Sequence, residues 1–429
     1  MKAKKNINVG FFPCYHSIGE TLPALKIAKK YLESGGQVIL FSHGGKFEHL
    51  VNEIGKENIK LKPLFWKDAF KNVNRDKITY EKQLFFVYKE KLVKELVIEE
   101  IENLKKNKID LVISSFNPTC RISTKVLNIP LIVLTSGVTI TPYYKSNNIS
   151  FPDNYENIIT RIIPNKIKNK FTGWYLQNNK TLVKDFNKVV KEYKIKQFSN
   201  LNEIIGGDYN LICDDINFLG IKPTKDFPKE NFIGPITGGL FEKKEDEVEK
   251  DIQKHLQRPG KSILFMMGNT RDKNLFLKIL KTLNETKYNI ITVYTTISED
   301  RLPEVSDNIL LKQFIKSPVQ VSKNVDLLII HGGRGTVYNA AISGKPSIGI
   351  PMFIEHQFNI DNIVRNKAGI RISKKFFKSE ELIKAISTIF SNYDEYLKNA
   401  RNLQNKITKE NAEEKAVERI IEISKNIRK

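Results

Sequence analysis

The feature that most constrains this 429-residue chain is a rhythm: short, mainly apolar runs alternate with longer stretches of helical spacing. Ile7 to Phe12 reads as a buried strand. Leu22 to Ser34 reads as a helix, with Leu22, Leu25, Ile27, Ala28 and Leu32 at helical spacing and Gly35-Gly36 at its end. Val38 to Ser42 is a second strand. Runs this apolar are buried on both faces, as in a parallel sheet covered by crossover helices. The pattern returns at Leu111 to Ser114 and Leu131 to Leu134, so the first half predicts an α/β, doubly wound sheet.

A second series starts after Gly234-Pro235 and the Gly238-Gly239 pair. A charged stretch, Glu242 to Lys254, leads through Pro259-Gly260 to a new strand at Ser262 to Met267. Ile290 to Tyr294, Leu327 to Ile330 and Ser347 to Ile350 continue it as strands, with Leu275 to Leu283 and Thr336 to Ser343 as helices. From Ser379 onward the pattern is helical throughout, ending in an amphipathic run (Ala412, Ala416, Ile420, Ile423) that needs a surface to pack on. The length supports two domains, 1–237 and 238–429.

No stretch is apolar enough to span a bilayer, and the apolar run after Lys2, Lys4 and Lys5 is too short for a secretory segment, so a cytoplasmic location is expected. Cys14, Cys120 and Cys213 lack metal-type spacing and read as reduced core thiols. The formal net charge of +22 favours anionic partners, yet no nucleic-acid-binding module accompanies it, and no nucleic acid is expected. Ten Lys or Arg stand against two acidic residues from Arg161 to Lys196, with Phe171, Trp174, Tyr175 and Leu176 interleaved. Two readings stand for that stretch: a patch facing an anionic membrane surface, or a solvated helical face whose aromatics cover a core or acceptor pocket.

The chemistry concentrates at His331-Gly332-Gly333-Arg334-Gly335-Thr336, directly after one apolar strand and directly before a helix. Glycines let the backbone approach a ligand closely, the helix N-terminus presents unpaired N–H groups and a positive dipole, and Thr336 adds a hydroxyl. Such a turn suits a diphosphate. It continues through Ala340-Ala341, Gly344-Lys345-Pro346, Pro351-Met352-Phe353 and Glu355-His356-Gln357-Phe358-Asn359.

That ordered run resembles the donor-site signature of the GT-B glycosyltransferases of families 1 and 28, which include sterol, macrolide and UDP-glucuronosyl transferases. The resemblance implies two Rossmann-like domains facing an interdomain cleft, the last helix packing back on the first. It implies a nucleotide sugar, UDP- or dTDP-linked, as co-substrate without a further cofactor or metal, and a small-molecule, glycan or lipid acceptor. By the same resemblance, His331, Gly332, Gly333, Gly335 and Thr336 hold the diphosphate, and Gln357 with Glu355, beside His356, orients the sugar. Asn339 falls where the family usually has a ribose-binding Glu. Gly268-Asn269-Thr270 resembles the turn near the phosphates, and Phe314-Ile315 the segment against the nucleobase. In Gly19-Glu20-Thr21-Leu22-Pro23, Glu20 occupies the family's His or Asp position, making it the expected base, with His16 as the alternative. The resemblance implies an inverting transfer in which helix N-termini and His331 supply charge to the leaving diphosphate. A catalytically silent accessory subunit is the competing reading, motivated by Asn339 and by Glu20 standing in place of His.

Overall fold

A computed structural model of the chain describes residues 7–54, 59–63, 88–237, 247–268, 272–294, 297, 301–407 and 411–426. Two six-stranded sheets lie among them. The first holds β1 (Asn8–Pro13), β2 (Gln37–Ser42), β3 (Ile59–Pro63), β4 (Leu111–Ser115), β5 (Leu131–Thr135) and β6 (Tyr209–Ile212), in the order β3-β2-β1-β4-β5-β6. The second holds β7 (Ser262–Met266), β8 (Asn289–Val293), β9 (Ile309–Lys312), β10 (Leu327–Ile330), β11 (Ser347–Gly349) and β12 (Gly369–Arg371), in the order β12-β11-β10-β7-β8-β9. All neighbouring strands are parallel.

The pleat explains why the central strands carry apolar residues on both faces. Val9, Phe11, Leu111 and Ile113 enter the core on one face of the first sheet, while Phe12, Phe41, Val112 and Val133 enter the core on the other. The second sheet repeats this, with Ile263, Phe265 and Ile329 on one side and Leu264, Met266 and Ile330 on the other.

Both sheets reverse their winding beside their first strand. The chain leaves β1 towards β2 but returns to place β4 on the far side, and it does the same with β7, β8 and β10. The carboxyl ends of β1 and β4, and of β7 and β10, therefore flank the crevices where doubly wound sheets take ligands.

The helix Ala412–Asn426 leaves the second sheet and buries Ala416, Val417, Ile420, Ile421 and Ile423 in the core of the first. It lies along the helix Ile18–Glu33, with Lys30 Nζ 3.0 Å from Glu414 Oε1. No described helix is long and apolar enough to cross a membrane. Cys120 and Cys213 are buried as expected, whereas Cys14 is only partly so.

Candidate functional site

The turn after β10 is built on backbone that needs glycine. Gly332 has φ +88°, and a Cβ there would lie 2.6 Å from the His356 carbonyl oxygen. The helix Arg334–Ser343 then starts at Gly333 with no side-chain cap, so its first N–H groups have no intrahelical acceptor. A Cβ on Gly335 would meet nothing within 4 Å, which leaves room beside those N–H groups for a ligand.

His331 is wedged behind the turn. A Cβ on Gly268, at the end of β7, or on Gly333 would come within 2.5 Å of its imidazole. Its Nδ1 is 3.4 Å from Thr336 Oγ1, and its ring meets that of His356 edge-on at 4.8 Å. Burial lowers the His331 pKa to about 4, against a hydrogen bond with the Met266 backbone. This departs from the expectation that His331 brings charge to the leaving diphosphate: burial holds its imidazole neutral at pH 7. Burial and neighbouring His331 hold His356 neutral too.

Across the cleft, the helix Ile18–Glu33 also starts without a side-chain cap, at Ser17, and carries Glu20 in its first turn. Ser115, at the end of β4, donates its hydroxyl to Glu20, 2.7 Å from Oε2 and 2.9 Å from the backbone oxygen. The switch point of the first sheet thus positions this carboxylate. His16 lies half-buried in the same loop.

Arg334 joins the two loops. Its Nη2 donates to the Gly19 carbonyl at 2.9 Å and lies 3.8 Å from Glu20 Oε1. Burial opposes its charge, but Glu20, Cys213, Asp214 and Glu355 outweigh that and raise its pKa. Asp214, two residues past β6, is wholly buried and accepts the Gly137 N–H at 2.6 Å. Burial raises its pKa to about 6 against the pull of Arg334. Burial and then the Glu20 charge raise Glu355 to about 7, again against Arg334. One guanidinium therefore balances three carboxyl groups. Asp214 and Glu355 therefore hold their protons to higher pH than free carboxyls do.

The rest of the predicted set divides. Gln357 departs from expectation: its Nε2 donates to Ser150 Oγ at 2.8 Å and Phe151 O at 2.9 Å, while its Oε1 accepts from Asp153 N at 2.9 Å. At 2% exposure it ties the two halves together rather than facing a sugar, because the segment 150–153 folds over it. Asn339 is buried on the helix Arg334–Ser343, and its Oδ1 has no hydrogen-bond partner among the described residues. Phe314 is exposed at the carboxyl end of β9, whereas Ile315 is core. Asn269 and Thr270 lie outside the described residues. Arg334 and Asp214 were not singled out from the sequence. The one available signal was Arg334 itself, a charged residue inside a glycine-rich turn.

The model of the glycosyltransferase family 28 C-terminal domain matches residues 263–420, from within β7 to within the last helix. The UDP-glucuronosyltransferase 2B16 of Oryctolagus cuniculus is 23% identical over 411 residues, covering 84% of this chain and 73% of that relative. The chain is a glycosyltransferase with the GT-B fold.

Solved structures of similar fold accompany that match. A UDP-glucosyltransferase from Polygonum tinctorium superposes on this glycosyltransferase with a TM-score of 0.69 at 14% identity, covering 97% of this chain and 98% of its own. Phytolacca americana UGT2, complexed with UDP-2fluoro-glucose and pterostilbene, gives 0.68 at 12% identity and covers 99% of both chains. A second rabbit UDP-glucuronosyltransferase, 2B14, is 23% identical, and the glycosyltransferase spans 64% of its length.

Proposed function

We propose that this glycosyltransferase moves a sugar from a UDP- or dTDP-sugar to a hydroxyl of a small-molecule or lipid acceptor, in one inverting, metal-independent displacement. The supporting observation is Arg334, which fastens the glycine turn after β10 to Gly19 and Glu20 at the opposite switch point. A diphosphate on the turn and a base on the other wall then face one cleft.

In this reading, the N–H groups opening the helix Arg334–Ser343 and the Thr336 hydroxyl hold the diphosphate, supported by the helix dipole. Asn339 Oδ1 accepts from a ribose hydroxyl and Phe314 lies against the base. Glu355 orients the sugar, a role that does not pass to Gln357. The acceptor oxygen attacks the anomeric carbon as its proton passes to Glu20, the anomeric bond to phosphate breaks, and the nucleoside diphosphate leaves. The Ser115 hydroxyl holds the Glu20 carboxylate in place for that transfer.

The test is Glu20→Gln, assayed with a donor chosen by thermal-shift titration against nucleotide sugars in EDTA. A saturating donor, at about 100 times its Kd, stabilises by roughly 2.7 kcal/mol. We expect the variant to keep that shift and lose turnover by roughly 100-fold or more. Full turnover would remove the base assignment. A chain that no donor stabilises would point instead to a silent accessory subunit.

A further inference from the structure

The segment 157–177 turns its amphipathicity inside out. The helix Ile158–Ile162 is set by a capping box at Asn157, and after Pro164 comes the helix Asn165–Gln177. Ile158 is 86% exposed, Ile162 81% and Ile159 71%. On the second helix Ile167, Phe171 and Trp174, spaced i, i+4, i+7, form an exposed stripe. Its aromatic rings pack on one another in the open, Phe171 lying 5.9 Å from Trp174 and 6.5 Å from Tyr175. The side turned inward carries Lys168, Thr172 and Gly173.

This arrangement is held firmly. Lys168 pairs with Glu156, and a Cβ on Gly173 would sit 2.4 Å from the Tyr144 carbonyl. Phe151 N–H donates to Asn169 Oδ1 at 2.8 Å, and the Arg161 guanidinium lies 4.5 Å from the Phe376 ring centroid. The body of the protein therefore fixes the apolar stripe in its outward position.

Charge says what covers it. From residue 157 to 184 there is no acidic residue, while Arg161, Lys166, Lys168, Lys170, Lys180 and Lys184 are basic. Arg161, Lys166 and Lys170 are exposed beside the isoleucines and aromatics. A second copy of a chain carrying +22 would bring like charges together, whereas anionic headgroups complement them. Isoleucine and aromatic side chains on one face, with lysines at its margin, are the composition of a helix lying in the headgroup boundary.

We propose that the helix pair 158–177 is a docking surface for an anionic lipid bilayer. The face is narrower than the stretch Arg161 to Lys196 and starts earlier. Its isoleucines at 158 and 159 were missed in the sequence, and the helix Val183–Glu192 leaves the patch because Phe186, Val189 and Val190 are core. The short helix Thr141–Tyr144 packs against the helix Asn165–Gln177, and Tyr143 reaches Asn362 of the second half at 3.0 Å, so the docked helix adjoins the seam between the sheets. If the proposed transfer holds, the acceptor is an amphiphile whose hydroxyl is presented at the lipid surface.

The experiment is vesicle flotation of the full chain with phosphatidylcholine alone and with about one quarter phosphatidylglycerol. We expect at least tenfold tighter binding to the anionic vesicles. Ile158→Glu with Ile162→Glu should lose at least tenfold, and Lys166→Gln with Lys170→Gln roughly fivefold for each charge. Both pairs are exposed, so an unchanged melting midpoint and an unchanged donor thermal shift will show that fold and sugar site are intact. Because flotation needs neither donor nor turnover, it is read independently of the proposed transfer. Equal binding by wild type and variants, or none by wild type, overturns the proposal. A concentration-dependent dimer that the isoleucine variant dissolves would assign the face to a second copy.

Discussion

Glu355→Gln is expected to stabilise the protein at pH 8 and do much less at pH 5. In the folded chain, burial and the neighbouring Glu20 charge raise the Glu355 carboxyl from 4.5 to about 7. Between those values the folded state keeps a proton that the unfolded chain gives up, so stability falls as pH rises through the window. Above pH 7 the whole deficit is present, and the full shift corresponds to about 3 kcal/mol. Glu355 keeps some solvent contact, so the difference in benefit between pH 8 and pH 5 should be about 1–2 kcal/mol. Glutamine has nearly the same shape and no charge to bury. Urea unfolding of both proteins at the two pH values reads the effect from the midpoints, with the slope as a check that the same surface is exposed. An equal change at both pH values, or a loss at pH 8, would refute the argument that this carboxylate is crowded by its neighbours.

Arg334→Met should cost about 3–5 kcal/mol at pH 8 and less at pH 5, where the carboxyls it leaves unbalanced can protonate; urea unfolding at both pH values checks it. Gly333→Ala places a Cβ 2.5 Å from the buried His331 Nε2 and should cost about 1–3 kcal/mol in urea unfolding while raising KM for the donor about tenfold, so an unchanged KM counts against a role for the turn in donor binding. Tyr338→Phe removes the oxygen that accepts the Asp215 N–H at 2.8 Å across the seam, and should lower stability by about 1–3 kcal/mol in urea unfolding.

The sequence made the centre of each sheet legible and hid the margins. The runs read as strands became β1, β2, β4, β5, β7, β8, β10 and β11, each with two neighbours and none at an edge. The four that went unread, β3, β6, β9 and β12, are the four edge strands. An edge strand has one neighbour and less burial, so it can be short and partly polar, as Ile59–Pro63 and Gly369–Arg371 are. The site divides in the same way. The glycine turn is local and could be read, because its residues serve their own backbone. The bond from Arg334 to Gly19 spans 315 positions, and the capture of Gln357 by Asp153 spans 204, so neither leaves a local pattern. The outward isoleucines were hidden for another reason: Ile158, Ile159 and Ile162 have the spacing of a core face, and only the fold shows that nothing of the described chain covers them.

The return of the helix Ala412–Asn426 to the first sheet has a mechanical consequence. A body joined to another by one strand of chain can swing in any direction about that point. Here the polypeptide passes between the halves once on the way to β7 and again on the way back, and two pivots define a line. The second passage, with the helix Ala412–Asn426 packed in the first core, removes the freedom to twist about one linker and holds the walls carrying Glu20 and His331 in one register.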